Sequence, residues 1–300
     1  MKFSASFLAP LFVLGCSTHQ LHVDSEKIKT WSDVQNRSEP FELPYAADFK
    51  SGPYFLTYIA VEHENDKSSP TFKLIENAFK HAKYDAVIIE GVPFERGASP
   101  SSILDTARRT NRDNFFEMGE PGYAAILADS YKIPFFGGEP PEQEIKYEAL
   151  KGGLSGDDLV GFYFVRQVPQ WFREKKLPKA SPDVLYRGFS QLTCLDFNIP
   201  KDKCLSFDSF KGWYSTANNK DFLTGFESEE AAPIRDGKYK TQRIAAQLGR
   251  IRDRSILNAI ITVLKKHKSV LVVYGGGHFA TQLDALTDVL GKPTYWKKHP

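Results

Sequence analysis

A chain of 300 residues with 39 basic against 37 acidic side chains carries a net charge of only +2, so it lacks the basic surplus that steers proteins to nucleic acid. The length suits one large α/β domain with a real core, and no internal repeat, coiled coil or low-complexity tract divides it. At the amino terminus, Lys2, the apolar run Phe7 to Val13 and then Leu14-Gly15-Cys16-Ser17 predict a lipoprotein signal peptide over residues 1–15. The apolar run is too short for a permanent bilayer span. Cys16 is then the expected lipidated residue, with palmitate among its acyl groups, and Ser17 predicts the outer membrane of a bacterial envelope, facing the periplasm. Residues 16–44 are polar without a sustained period and are expected to be a tether.

From residue 45 onward a single domain is expected. Tyr54 to Val61 is rich in β-branched and aromatic residues, predicts a strand, and runs into Glu62-His63-Glu64. Ser69-Pro70 predicts a helix start, with an apolar face through Phe72, Ile75 and Phe79 to about Lys83. A strand over Ala86 to Ile89 ends in Glu90-Gly91, completing a strand-helix-strand unit that makes the two strands parallel. A helix near Gly122 to Tyr131 precedes a strand over Ile133 to Phe136, which ends in Gly137-Gly138-Glu139.

Residues from about 155 to 238 break this alternation. They are rich in aromatics and are expected to form a helical insertion capping the strand ends. Cys194 and Cys204 lie within it. Their close spacing and an oxidising compartment predict a disulfide. The longest helical pattern runs from Tyr239 to Lys266, with Ile244, Leu248, Ile251, Ile256, Ile260 and Leu264 as its buried stripe, which Arg252 and Asp253 interrupt. A buried charge is costly unless paired, so Arg252 either reaches the site rim, holding a carboxylate or a substrate oxyanion, or is a solvated helical arginine.

The chain then delivers its most informative run, Leu271 to Phe279, an apolar strand ending in Gly275-Gly276-Gly277-His278. The glycines permit positive φ and close backbone approach beside His278. Ligands of open α/β sheets gather at the carboxyl ends of strands. If the strands are parallel and adjacent, His63, Glu90, Glu139 and His278 converge on one rim. Two imidazoles and two carboxylates can ligate a divalent metal or perform acid/base hydrolysis without one.

The ordered set resembles a superfamily in which Tiki proteases, TraB-type proteins, erythromycin esterases and ChaN-like haem-binding lipoproteins share one core. Gly275 to His278 matches its second Gly-x-x-His, Arg252-Asp253 its late Arg-Asp pair, Glu90 its strand-end Glu, and Gly138 to Gln143 its middle Glu-containing loop. The first motif departs from the pattern, because Ala60-Val61-Glu62-His63 has Ala in place of Gly. The resemblance spans roughly Tyr54 to Leu290 and implies a mainly parallel central sheet flanked by helices.

It also implies a hydrolase acting on an ester or amide bond of a small molecule or peptide. His63, Glu90, Glu139, Arg252 and His278 would be its catalytic residues, with Glu62, Asp253, Gly275, Gly276 and Gly277 in supporting contacts. Mn, Co or Zn on His63, Glu90 and His278 would serve a metal-dependent version. The alternatives are a haem- or iron-binding envelope lipoprotein and a non-catalytic envelope interaction protein. The sequence sets no oligomeric state.

Overall fold

The computed structural model describes residues 21–36, 42–111, 115–173, 176–177 and 179–296. The expected signal peptide and lipidated Cys16 therefore lie outside the described residues. Six strands form one mixed sheet in the order β4 (Phe135–Glu139), β3 (Ala86–Pro93), β5 (Ser269–Gly275), β2 (Tyr54–Val61), β1 (Tyr45–Ser51) and β6 (Thr294–Tyr295). The first four in this order are mutually parallel, whereas β1 runs antiparallel to both β2 and β6.

Side-chain alternation divides the sheet into two buried faces. Tyr58, Ala60, Ile88, Val272 and Tyr274 point to one, which is covered by α10 (Lys240–His267) and α11 (Gly276–Leu290). Ile59, Val61, Val87, Ile89 and Val273 point to the other, under α2 (Pro70–His81) and α4 (Gly119–Ser130). Burial on both faces is why β2, β3 and β5 are near-continuous apolar runs. Ala60 is fully buried in β2, where it packs in the α10–α11 face.

The helix α10 serves two cores. Ile244, Ala245, Leu248 and Ile251 pack with Ile145, Leu159 and Phe162, while Ile256, Ile260 and Leu264 lie on the sheet. Arg252 and Asp253 sit at the changeover. The expected helices over residues 155–238 are present as α6 (Gly156–Arg173), α7 (Pro182–Asp196), α8 (Phe207–Asn218) and the short α9 (Phe222–Gly225). Phe164, Tyr186, Phe210 and Phe222 interlock in a core of their own there. The disulfide between Cys194 and Cys204 ties the end of α7 to the loop before α8.

Three expectations need correction. Within the expected tether, Leu21, Ile28 and Val34 are buried, and the Lys29 amide donates to the Thr281 carbonyl at 2.9 Å. The segment holds apolar side chains spaced too irregularly to show a period, yet Leu21 and Ile28 join the core that packs on the sheet. The strand β1 is not among the expected elements, although Pro44 stands immediately before it. Finally, Glu90 lies inside β3, which runs past its apolar stretch to Pro93, whereas Glu139 is the last residue of β4, at the strand end as expected. Among the described residues, no helix is long and apolar enough to cross a membrane.

Candidate functional site

Strand register brings the site together. Val61 pairs with Gly275 and Ile89 with Val273, so the residues just beyond these pairs meet at one end of the sheet. His63 follows β2 by two residues, Glu90 lies within β3, and His278 occupies the first turn of α11. His63, Glu90, Arg252, Asp253 and His278 line one cavity of about 1120 Å³, and Glu139 joins them from β4 through Arg252.

The three glycines act by close approach, and none of them has positive φ. This corrects half of the expectation. A Cβ on Gly275 would stand 3.0 Å from His63 Nε2 and 3.3 Å from Glu90 Oε2, and one on Gly276 would stand 2.3 Å from Leu43. The missing side chain at Gly275 leaves open the space between the two functional groups.

Glu90 is the centre of the arrangement. His63 Nε2 lies 3.9 Å from its Oε2, and His278 Nε2 lies 3.7 Å from its Oε1. Both imidazoles are held from behind. His63 Nδ1 donates to Glu120 Oε1 at 3.0 Å, and His278 Nδ1 donates to Asp253 Oδ1 at 2.7 Å. A carboxylate only accepts, so each Nδ1 carries a proton, and each Nε2 is turned toward Glu90. Asp253 is itself fixed by Gln282 Nε2 at 2.7 Å and Thr281 Oγ1 at 2.8 Å. Tyr58 extends this chain into the core through Gln282.

Burial alone would raise the Glu90 carboxyl, but His278, His63, Arg252 and the Gly275 amide, which donates to it at 2.8 Å, hold it well below the usual carboxylate range. Burial works the same way on Glu139, and Arg252 overrides it through two parallel bonds of 2.8 Å. Both carboxylates are therefore ionised and weak as bases. The His63 imidazole is pushed above its ordinary value, chiefly by its bond to Glu120. It is also the more open of the two, with 55% of its side chain exposed, whereas His278 exposes 15%.

The expected residues thus divide. His63, Glu90 and His278 face one another, Arg252 and Glu139 lock each other, and Asp253 orients His278. Glu62 lies on the cavity wall, where its carbonyl accepts from Thr71, and Gly276 and Gly277 begin α11 beside His278. Two residues were missed. Glu120 stands in the first turn of α4, a place where an acid is common and carries no special signal. What aims it is Gly119, whose φ of +57° brings the backbone against the Glu64 carbonyl. Arg166 hides in an aromatic-rich helix, although Tyr163, Arg166 and Gln170 share the helical spacing of one face and all line the cavity.

The donor chemistry suits a divalent ion, because carboxylate-anchored imidazoles are the usual partners of metal-bound histidine. Spacing is the obstacle: among the described residues no group of three or more His, Cys, Asp and Glu is placed to hold an ion. Comparisons with protein families, curated proteins and solved structures found no match to the chain.

Proposed function

We propose that this protein is a hydrolase of the bacterial envelope, anchored through a lipidated Cys16, that activates water between His63 and His278 to cleave an ester or amide bond. The observation that carries the reading is the pairing of two Nε2 atoms across one ionised carboxylate, each imidazole oriented by a second carboxylate. A core residue satisfied by packing needs no such orientation.

In this mechanism water is hydrogen-bonded by Glu90 and His63. With Glu90 strongly acidic, His63 is the better-matched base and takes the water proton as oxygen attacks the carbonyl. Glu120 stabilises the resulting imidazolium, which then returns the proton to the leaving alkoxide or amine. His278, held by Asp253, keeps the water on its line of approach. The Gly276 and Gly277 amides open α11 without helical acceptors and line the cavity, where they can receive the developing oxyanion. The helices over residues 155–238 serve as the insertion that caps this chemistry and restricts water.

A second reading keeps the same residues and adds a divalent ion, Mn, Co or Zn, favoured by the two carboxylate-anchored imidazoles. His63, His278 and Glu90 would hold it, and it would supply a lowered pKa to the bound water. The haem alternative has less support, since Glu90, Glu120, Arg252 and Asp253 crowd the histidines with charge where a porphyrin face needs apolar surface. The test is a panel of para-nitrophenyl esters and fluorogenic peptides offered to the chain beginning at residue 17, with metal content measured alongside. His63→Ala, His278→Ala and Glu90→Gln should each lower turnover by about 10²–10⁴-fold. Turnover unchanged in all three variants overturns the proposal.

A further inference from the structure

Four cations line the cavity, and three of them are already matched. Arg252 is bonded twice to Glu139 at 2.8 Å, Arg250 reaches Glu26 at 3.3 Å, and Lys29 lies 3.9 Å from Asp284. Arg166 has no carboxylate at ion-pair distance among the described residues, and its guanidinium lies 5.7 Å from the centre of the Tyr163 ring. It is exposed, and the space it meets is the cavity.

From this geometry we infer that Arg166 is the recognition residue for an anionic group on the substrate, so that the hydrolysed compound carries a carboxylate or a phosphate near its scissile acyl bond. The inference rests on the hydrolase reading for the word substrate, while the anion subsite stands on the cavity alone. Arg166, on α6, lines the same cavity as His63 and Glu90, and its charge reaches His63, so a molecule held at the guanidinium lies within reach of the candidate reacting groups. Its guanidinium is disfavoured first by burial and then by the like charge of Arg252, while Glu139 and Glu90 help it only at a distance. A cation beside a like charge and without a carboxylate partner is unfavourable, and a bound oxyanion relieves that cost. Guanidinium also offers the planar fork that carboxylate and phosphate accept bidentately. On the outer surface such an arginine would be solvated and without consequence. Here it shares the helical face of Tyr163 and Gln170, which gives an entering ligand an aromatic wall beside the charge.

The test uses the chain from residue 17 and has two arms. Calorimetric titration with glutarate and with inorganic phosphate reads binding without turnover and tells a carboxylate subsite from a phosphate one. Arg166→Gln should weaken the preferred anion about ten- to a hundred-fold, and Arg166→Lys by less. In the second arm, mono-para-nitrophenyl glutarate competes with para-nitrophenyl butyrate. Wild type should prefer the charged ester in kcat/KM, through KM, and Arg166→Gln should lose that preference. Anion binding without hydrolysis of either ester would sink the hydrolase reading and leave the subsite standing. Failure of wild type to bind either anion, or equal binding by wild type and Arg166→Gln, overturns the inference.

Discussion

Arg252 and Glu139 are joined by two parallel bonds of 2.8 Å, from Nε to Oε2 and from Nη2 to Oε1, at the point where α10 passes from one core to another. This closed fork withdraws both groups from the substrate and gives them a shared task, to fix α10 over β4 and hold Glu90 ionised from 3.4 Å away. Breaking one side leaves a buried charge. Glu139→Gln is therefore expected to cost about 3–5 kcal/mol in denaturant unfolding, and Arg252→Lys less, because it keeps the charge and loses only the fork. Equal stability of Glu139→Gln and wild type would remove the pair from the architecture of the site.

In the proposed hydrolase, the His63–Glu120 pair sets the acid limb of the pH profile. His63 must be neutral at Nε2 to accept a proton, and its imidazole titrates above 6.5 because Glu120 favours the charged form. Turnover should therefore rise with pH and level off only above the raised value. Glu120→Gln removes the cause and should move that limb toward lower pH. The stability effect has the opposite sense. A raised folded-state value stabilises the protein below pH 6.5, and the contribution fades as pH rises through the folded value. A profile whose acid limb stays in place in Glu120→Gln would assign the base to another group.

Asp253 is expected to be a positioning residue. It accepts from His278, Gln282 and Thr281 at 2.7, 2.7 and 2.8 Å and is itself almost fully buried. Asp253→Asn keeps the shape but can donate to His278 Nδ1, turning the imidazole to the wrong tautomer. Turnover should fall on the order of 10²–10⁴-fold, the scale set by neutralising a triad carboxylate, with KM nearly unchanged. The His278 ring resonances in an NMR spectrum should move with the tautomer, a change that mere loosening of α11 would not produce.

How far the sequence reached follows from which forces act locally. The parallel strands and their rim were legible because apolar runs such as Val87 to Ile89 and Leu271 to Val273 end abruptly in glycine or charge, and burial on both faces demands such runs. His63, Glu90, Arg252 and His278 could be placed together because register in parallel strands is set by those same runs. Glu120 and Arg166 escaped because each is positioned by tertiary packing of an ordinary helix. Residues 21–36 escaped for a different reason, since Leu21, Ile28 and Val34 are separated by charged and polar residues that mask a buried strap.

That strap yields a prediction about the amino terminus. Lys29, Thr30 and Trp31 line the cavity, and Leu21 and Ile28 belong to the same core as α11. A chain beginning at residue 21 should fold like one beginning at residue 17. A chain beginning at residue 42 should lose stability severely, since Leu21→Ala or Ile28→Ala alone should cost about 2–5 kcal/mol. Thermal unfolding of the three lengths distinguishes a strap from a tether.

Gly275 and Gly276 separate the chemistry of the site from its packing. Both have room in φ for alanine, since neither adopts the left-handed region. A methyl on Gly275 would enter the gap beside His63 Nε2 and Glu90 Oε2, at 3.0 and 3.3 Å, the place of the attacking water in the proposed mechanism. The neighbours there are side-chain ends that can shift slightly, so Gly275→Ala should keep stability within about 1 kcal/mol while turnover falls by about 10²-fold, the loss that follows small misplacement of reacting groups. A methyl on Gly276 instead meets Leu43 Cδ2 at 2.3 Å and must displace a packed side chain. Gly276→Ala should therefore lower stability by about 1–3 kcal/mol through overpacking. If the two variants show the same balance of lost stability and lost turnover, the space between His63 and Glu90 holds no reacting water.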